Sequence, residues 1–190
     1  MTNIKTCFYK AGLILACTMI TAIAVAQKTQ INTNDDKDFR KGLSLFDKEK
    51  YAAAHEIFKA YSEESRSTTS LLKSEAEYYY AICALELFNP DAEYLLNRFI
   101  EENPENTKIQ AAQFAFGKFY YRDNKYPEAL ARFEKVDDKN LSKAERFELL
   151  FKKGYCYYQA KNNEKSRDCF RVVKDDSTNK YKSPALYYYS

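Results

Sequence analysis

The 190-residue chain repeats itself, and that repeat limits its fold more than any other feature. A small residue is followed 16 positions later by Phe at Gly42/Phe58, Gly117/Phe133 and Gly154/Phe170; Ala81/Leu96 shows the same pattern with one residue fewer. The small residues are 39, 36 and 37 positions apart, and the Phe or Leu residues 38, 37 and 37. An Ala or Ser stands four before each of the latter: Ala54, Ala92, Ala129 and Ser166. Three interlocked series at one period imply an array of like units. One unit cannot bury its apolar face alone, so each is covered by the next.

Each unit reads as two helices. Thr107 to Arg122 has apolar residues at helical spacing and opens with Thr107-x-x-Gln110, a capping-box pattern. Asp123-Asn124-Lys125 breaks it, and Tyr126 to Val136 forms the second helix, with Ala129, Phe133 and Val136 on one face. Ser142-x-x-Glu145 is a further capping box, and Asn162-Asn163 is the next turn. In the second unit Asn89-Pro90 makes the turn, with Asn as cap and Pro at the first helical position. Gly or Ala in a first helix opposite Ala in the second lets the two axes approach closely, near the lower end of about 8–10 Å. The Phe four residues on then plugs the gap to the next unit. The expected class is all-α, an α-solenoid of antiparallel hairpins.

Phe116-Gly117-x-x-Tyr120 followed by Tyr126-x-x-Ala129-x-x-x-Phe133 resembles the tetratricopeptide repeat. Gly154-x-x-Tyr157 with Phe170, and Gly42 with Tyr51-x-x-Ala54-x-x-x-Phe58, match the same pattern, and Pro104 falls where that family often ends its second helix. The resemblance covers roughly residues 35–190 and implies a right-handed α-solenoid. No unit has the early Trp of the family. Leu45 and Ala84 stand where it has Tyr, Asn163 where it has an aromatic, and Ser166 where it has Ala. The period is near 37, against about 34 in the family; the extra residues lie between Phe133 and Gly154.

The organisation expected is residues 1–26 as a signal peptide, 27–34 as a polar linker and 35–190 as about four repeats plus the start of a fifth. Lys5 and Lys10 precede an apolar run from Ala11 to Ala26 that ends Ala24-Val25-Ala26, the small-x-small pattern of a cleavage site. That run is short for a membrane span of about 20 residues. The expected location is therefore exported, in the periplasm or cell envelope. An uncleaved N-terminal membrane anchor and a lipid anchor at Cys17, after Ile14-Leu15-Ala16, remain alternatives. At the other end, Ser183-Pro184 reads as a helix cap and first turn. Tyr187-Tyr188-Tyr189-Ser190 repeats Tyr78-Tyr79-Tyr80-Ala81, so Ser190 takes the small position of a fifth unit in a longer array.

Little in the chain points to catalysis. One His excludes a multi-His metal site, and four Gly leave no Gly-rich phosphate loop. His55 lacks a nucleophile and an acid at recognisable spacing, so it reads as a surface or packing His rather than a base. Cys83, Cys156 and Cys169 show neither zinc nor disulfide-framework spacing and read as small buried apolar residues. Acidic pairs recur once per unit at Glu63-Glu64, Glu101-Glu102, Asp137-Asp138 and Asp175-Asp176. They read as solvated helix ends, with an edge that docks a basic partner or divalent cations as the functional alternative. Asn34-x-Asp36 lacks the carboxylates and turning Gly of a calcium loop. No enzyme, cofactor or metal is expected. A net charge of +3 is too small for a nucleic-acid binder.

The aromatics say more, because there are 17 Tyr and 13 Phe. Residues three before, one after and four after each small position form a stripe on the first helices. They are Phe39, Leu43 and Phe46; Tyr78, Ile82 and Leu85; Phe114, Lys118 and Tyr121; Phe151, Tyr155 and Tyr158. The resemblance implies that this face lines the concave groove. Two readings stay open: interhelical core, or an aromatic groove for a partner segment formed by Phe39, Phe46, Tyr78, Phe114, Tyr121, Phe151, Tyr155 and Tyr158. Some family members grip a C-terminal carboxylate in this groove; with only Lys118 on the stripe, that is not expected here. The function expected is protein–protein interaction or scaffolding, with an unidentified protein partner and a possible place in an envelope or membrane complex. A glycan- or peptidoglycan-binding solenoid using Tyr rows is the alternative from another class.

Overall fold

The computed structural model describes residues 37–63, 70–176 and 178–190. The signal-peptide and linker readings, and Glu64, fall outside them. Among the described residues the chain is helical throughout, without strands. Helix α1 covers residues 37–47. It is followed by α2 (Tyr51–Glu63), α3 (Ser70–Glu86), α4 (Ala92–Glu102), α5 (Ile109–Arg122), α6 (Tyr126–Phe133), a 3-10 turn (Asp138–Asn140), α7 (Lys143–Gln159), α8 (Asn163–Lys174) and α9 (Lys182–Tyr189). Odd-numbered helices are the first of each hairpin, even-numbered the second. Each helix packs on its chain neighbours, and successive first helices also touch, α3 on α5 and α5 on α7. This is the packing of a tetratricopeptide-like solenoid. Of the junctions between hairpins, α4–α5 is the thinnest.

The small residues and the Phe series meet inside each hairpin. A Cβ on Gly117 would lie 2.4 Å from the Phe133 ring, and Cβ atoms on Gly42 and Gly154 would lie 3.0 Å from Phe58 and Phe170. All three Phe residues are fully buried, as are Ala54, Ala81, Leu96 and Ala129; Ala92 and Ser166 are 1% exposed. The missing side chain of Gly therefore seats the ring of its own hairpin. The plug also reaches onward at two places, where Phe58 stacks on Tyr79 at 5.0 Å and Phe170 on Tyr188 at 5.6 Å. Ser166 keeps its hydroxyl satisfied by donating to the Gly154 carbonyl at 3.0 Å, so it fits where Ala stands in the other units.

Each hairpin turns through a non-glycine residue in the left-handed region: Glu49, Phe88, Asn124 and Lys161, all at φ 57–59°. The next amide donates back five residues, Lys50 to Leu45, Asn89 to Ala84, Lys125 to Tyr120 and Asn162 to Tyr157, at 2.8–2.9 Å. These bonds close the helix ends in the Schellman manner.

The starts of the helices differ in part from the expected caps. The Ser142–Glu145 capping box is present. The Thr107–Gln110 box is not. Asn106 Oδ1 accepts the Lys108 amide instead, α5 begins at Ile109, and Gln110 accepts the Asp137 amide at 2.8 Å, reaching across to the 3-10 turn. Asn89 does not cap α4, which begins at Ala92; its side-chain amide lies 3.4 Å from His55 Nε2. Helix α6 ends at Phe133, three residues short of Val136, which is still buried. The extra residues of this repeat form the 3-10 turn. Helix α9 starts at Lys182, ahead of Ser183, where Asn179 Oδ1 accepts the Tyr181 amide at 2.8 Å. Its Ala185 is buried and its Tyr188 lies on Phe170, so α9 covers part of the last hairpin rather than leaving that face bare.

Candidate protein-binding face

The first helices carry the aromatic stripe, and the structure divides it. Phe39 and Phe114, each three before a small position, turn inward onto the plug ring that the small position admits. Phe39 lies 5.5 Å from Phe58, and Phe114 lies 6.2 Å from Phe133. Both are core, 7% and 4% exposed, and so correct the expectation that they line a groove. Ile82 and Leu85 are also buried. Tyr78 is half-buried against Phe99 at 5.6 Å, and burial pushes its hydroxyl well above the usual range.

Other members of the stripe lie nearer the surface. Phe46 sits half-buried between Tyr51 and Tyr79 at 5.5 and 5.0 Å. Tyr121 meets Tyr126 and Tyr155, each at 5.8 Å. Tyr155 in turn meets Tyr126 at 5.4 Å and Tyr188 at 5.3 Å. Tyr158, 46% exposed, lies 5.3 Å from Tyr188. Phe151 is half-buried and stacks on Tyr181 at 5.0 Å. One continuous band of rings thus runs over α5, the start of α6, α7 and α9.

Tyr126, Tyr181 and Tyr188 belong to this band although the three-position stripe does not include them. They come from a hairpin tip, an inter-hairpin turn and the following first helix. For Tyr188 a signal exists: it lies in the run that repeats Tyr78-Tyr79-Tyr80. The stripe also omits Lys152, two before Gly154. Its ammonium lies 4.5 Å over the Tyr121 ring and 3.6 Å from Glu148. Burial lowers its pKa, Glu148 opposes that shift, and Lys118 and Lys180 add to it. Lys118 itself covers Phe114 at 4.9 Å.

The remaining candidates have ordinary partners. His55 packs 4.6 Å from Tyr80 and lies 3.1 Å from Glu56. Burial pushes the Cys83 and Cys156 thiols up to about 12 and that of Cys169 to about 11, which suppresses the thiolate a nucleophile needs. The acidic pairs are largely offset. Asp138 pairs with Arg146 and Asp176 with Lys143, each at 2.7 Å, and Glu102 lies 4.0 Å from Arg98. The Lys143 ammonium and Thr178 hold the Asp176 carboxyl well below the usual carboxylate range. Among the described residues no cluster of three or more His, Cys, Asp or Glu could hold a metal ion, and no helix is long and apolar enough to cross a membrane.

Two hydroxyl–carboxylate bonds join hairpins behind the band. Tyr120 donates to Glu93 at 2.5 Å and Tyr157 to Glu134 at 2.6 Å. Arg132 donates to Asn97 at 2.8 Å, tying α6 to α4. A cleft of about 440 Å³, lined by Phe147, Tyr181, Lys143 and Lys180 among others, adjoins the band where α9 begins.

The family model described as tetratricopeptide repeat matches residues 114–180. These span α5 to the approach to α9, the stretch that carries most of the ring band. No curated protein matches the chain significantly.

Proposed function

We propose that this chain, whose residues 114–180 match the tetratricopeptide repeat, is a binding or scaffolding module that holds a segment of a partner protein on the first-helix face of its array. Tetratricopeptide repeats generally mediate protein–protein interaction, and the family is typically a non-enzymatic scaffold. The observation that carries the reading is the band of Tyr121, Tyr126, Tyr155, Tyr158 and Tyr188, which continues from one hairpin to the next with partly accessible rings. Tyr offers contact area and a hydroxyl at low entropy cost, which suits an interface. The double variant Tyr121→Ala/Tyr158→Ala tests it. Crosslinked partner recovered from the source cell envelope should fall by the equivalent of about 2 kcal/mol or more, while the melting temperature changes little. Loss of folding without a specific loss of binding would make the band core and overturn the reading.

The chain's route to that partner is export. Lys5, Lys10, the apolar run and Ala24-Val25-Ala26 support removal of residues 1–26. A mature N-terminus at Gln27, read by mass spectrometry, is the expected result. A lipid on Cys17 or an intact Met1 would overturn it.

A further inference from the structure

Three lysines meet at the ring band from three successive repeat segments: Lys118 from α5, Lys152 from α7 and Lys180 from the turn before α9. Lys152 is the central one. Its side chain keeps only 19% of its surface, with one carboxylate, Glu148, at 3.6 Å. It lies 4.5 Å over Tyr121, three residues on from Lys118 in α5, and Tyr181, which carries Lys180, stacks at 5.0 Å on Phe151, the chain neighbour of Lys152; both lysines oppose its charge. They rest on aromatic faces, Lys118 on Phe114 at 4.9 Å and Lys180 on Tyr181 at 5.1 Å. Among the described residues neither forms an ion pair. Of these two charges without an ion-pair partner, Lys118 is half-buried beside the rings, where unpaired charge is costly, and Lys180 is exposed at their edge. The surplus is local. Around it Lys108 has Glu75, Lys143 has Asp176 and Arg146 has Asp138.

We propose that the segment held on this face is an acidic stretch of polypeptide whose side-chain carboxylates seat between Lys118, Lys152 and Lys180 while its apolar side chains lie on Tyr121, Tyr155 and Tyr181. This rests on the reading of the first-helix face as the partner site. Opposite charge supplies what Lys118 and Lys180 lack, and the half-buried rings supply what a bare ion would not use. A nucleic-acid backbone would need a longer run of free cations, and the flanking ones are already paired.

The test uses the full chain and two fluorescein-labelled, C-terminally amidated peptides: a Glu-Leu-Tyr repeat and the same repeat with Gln for Glu. By fluorescence anisotropy at low salt, the Glu peptide should bind about tenfold or more tightly than the Gln peptide, and the advantage should shrink as salt rises. Lys118→Glu/Lys180→Glu should abolish that advantage, read as the ratio of the two peptides' affinities. Lys152→Met, which places an apolar chain in the same half-buried space, should reduce the advantage and keep the fold, as checked by circular dichroism. Equal affinity for the two peptides would overturn the charge assignment and leave partner binding itself standing. If neither peptide binds, the inference falls and partner binding is judged by the crosslinking result alone. A single-stranded oligonucleotide bound as tightly as the Glu peptide, with the same lysine dependence, would also overturn it, making the face a general anion site.

Discussion

At Gly117 one missing methyl group decides how two helices meet. In a helix interior Gly→Ala normally gains about 1 kcal/mol. Here the new Cβ would sit 2.4 Å from the ring of fully buried Phe133. Gly117→Ala should therefore cost about 1–3 kcal/mol net, and Gly42→Ala and Gly154→Ala, at 3.0 Å, distinctly less. Thermal melts of the three variants give the order; equal stability of all three with the parent would refute it. Gln113 presents the opposite case. It lies one turn before Gly117 and is 4% exposed, and its Oε1 is buried without a partner. Leu150 stands at the same place before Gly154. Gln113→Leu should stabilise the protein by about 1 kcal/mol by removing an orphaned acceptor, read as a rise in the urea midpoint. The Gly–Phe pairs were legible in the sequence because a spacing of 16 residues is a contact across one hairpin; Gln113 was not. That Phe39 and Phe114 turn inward was not legible, since a helical stripe gives the face of a residue but not the depth of what it meets.

Elements end here in ways that sequence shows unevenly. Ser142 and Glu145 announce α7 by their spacing, and Ser142→Ala should cost about 1 kcal/mol through loss of the cap, measured by chemical denaturation. The hairpin turns announce less: Asn89-Pro90, Asp123-Asn124-Lys125 and Asn162-Asn163 mark three of them, but not which residue takes the left-handed conformation. Glu49, Phe88, Asn124 and Lys161 take a left-handed conformation that favours glycine, yet none is glycine, so the usual signal of that conformation is missing. Their spacing of 39, 36 and 37 matches that of the small residues, and is visible only once the backbone is known. Lys161 is exposed, so its side chain gives little in return for the strain. Lys161→Gly should leave the fold unchanged and stabilise it by up to about 1 kcal/mol; a lower melting temperature would show that Lys161 makes a contact worth more than the strain. Asn106 and Asn179 bind the amide two residues on, a local turn that a search for helix caps passes over in favour of Thr107 and Ser183.

As a whole, the molecule keeps its titratable core groups neutral. Burial holds Cys83 and Cys156 up to about 12 and Cys169 to about 11, and burial with the Glu93 hydrogen bond holds Tyr120 up to about 12. The unfolded chain gives up these protons from about pH 9 to 10, whereas the folded chain keeps them. Stability from these groups is thus complete below about pH 9 and falls as pH rises toward the folded values. Urea midpoints across that range should be flat and then decline; a midpoint unchanged well above pH 10 would contradict it. The solenoid class was legible from the repeat, because an array uses one set of contacts several times over. The lysine cluster was not, because it joins residues of three units that no single period relates. The uneven junctions also bear on mechanics. Drawn apart from its two ends, a chain of hairpins transmits the same tension through every junction in series, so the slimmest parts first. That is α4–α5, where the Tyr120–Glu93 hydrogen bond spans the seam. The array would open there like a fuse, leaving the tyrosine band whole on the α5–α9 side.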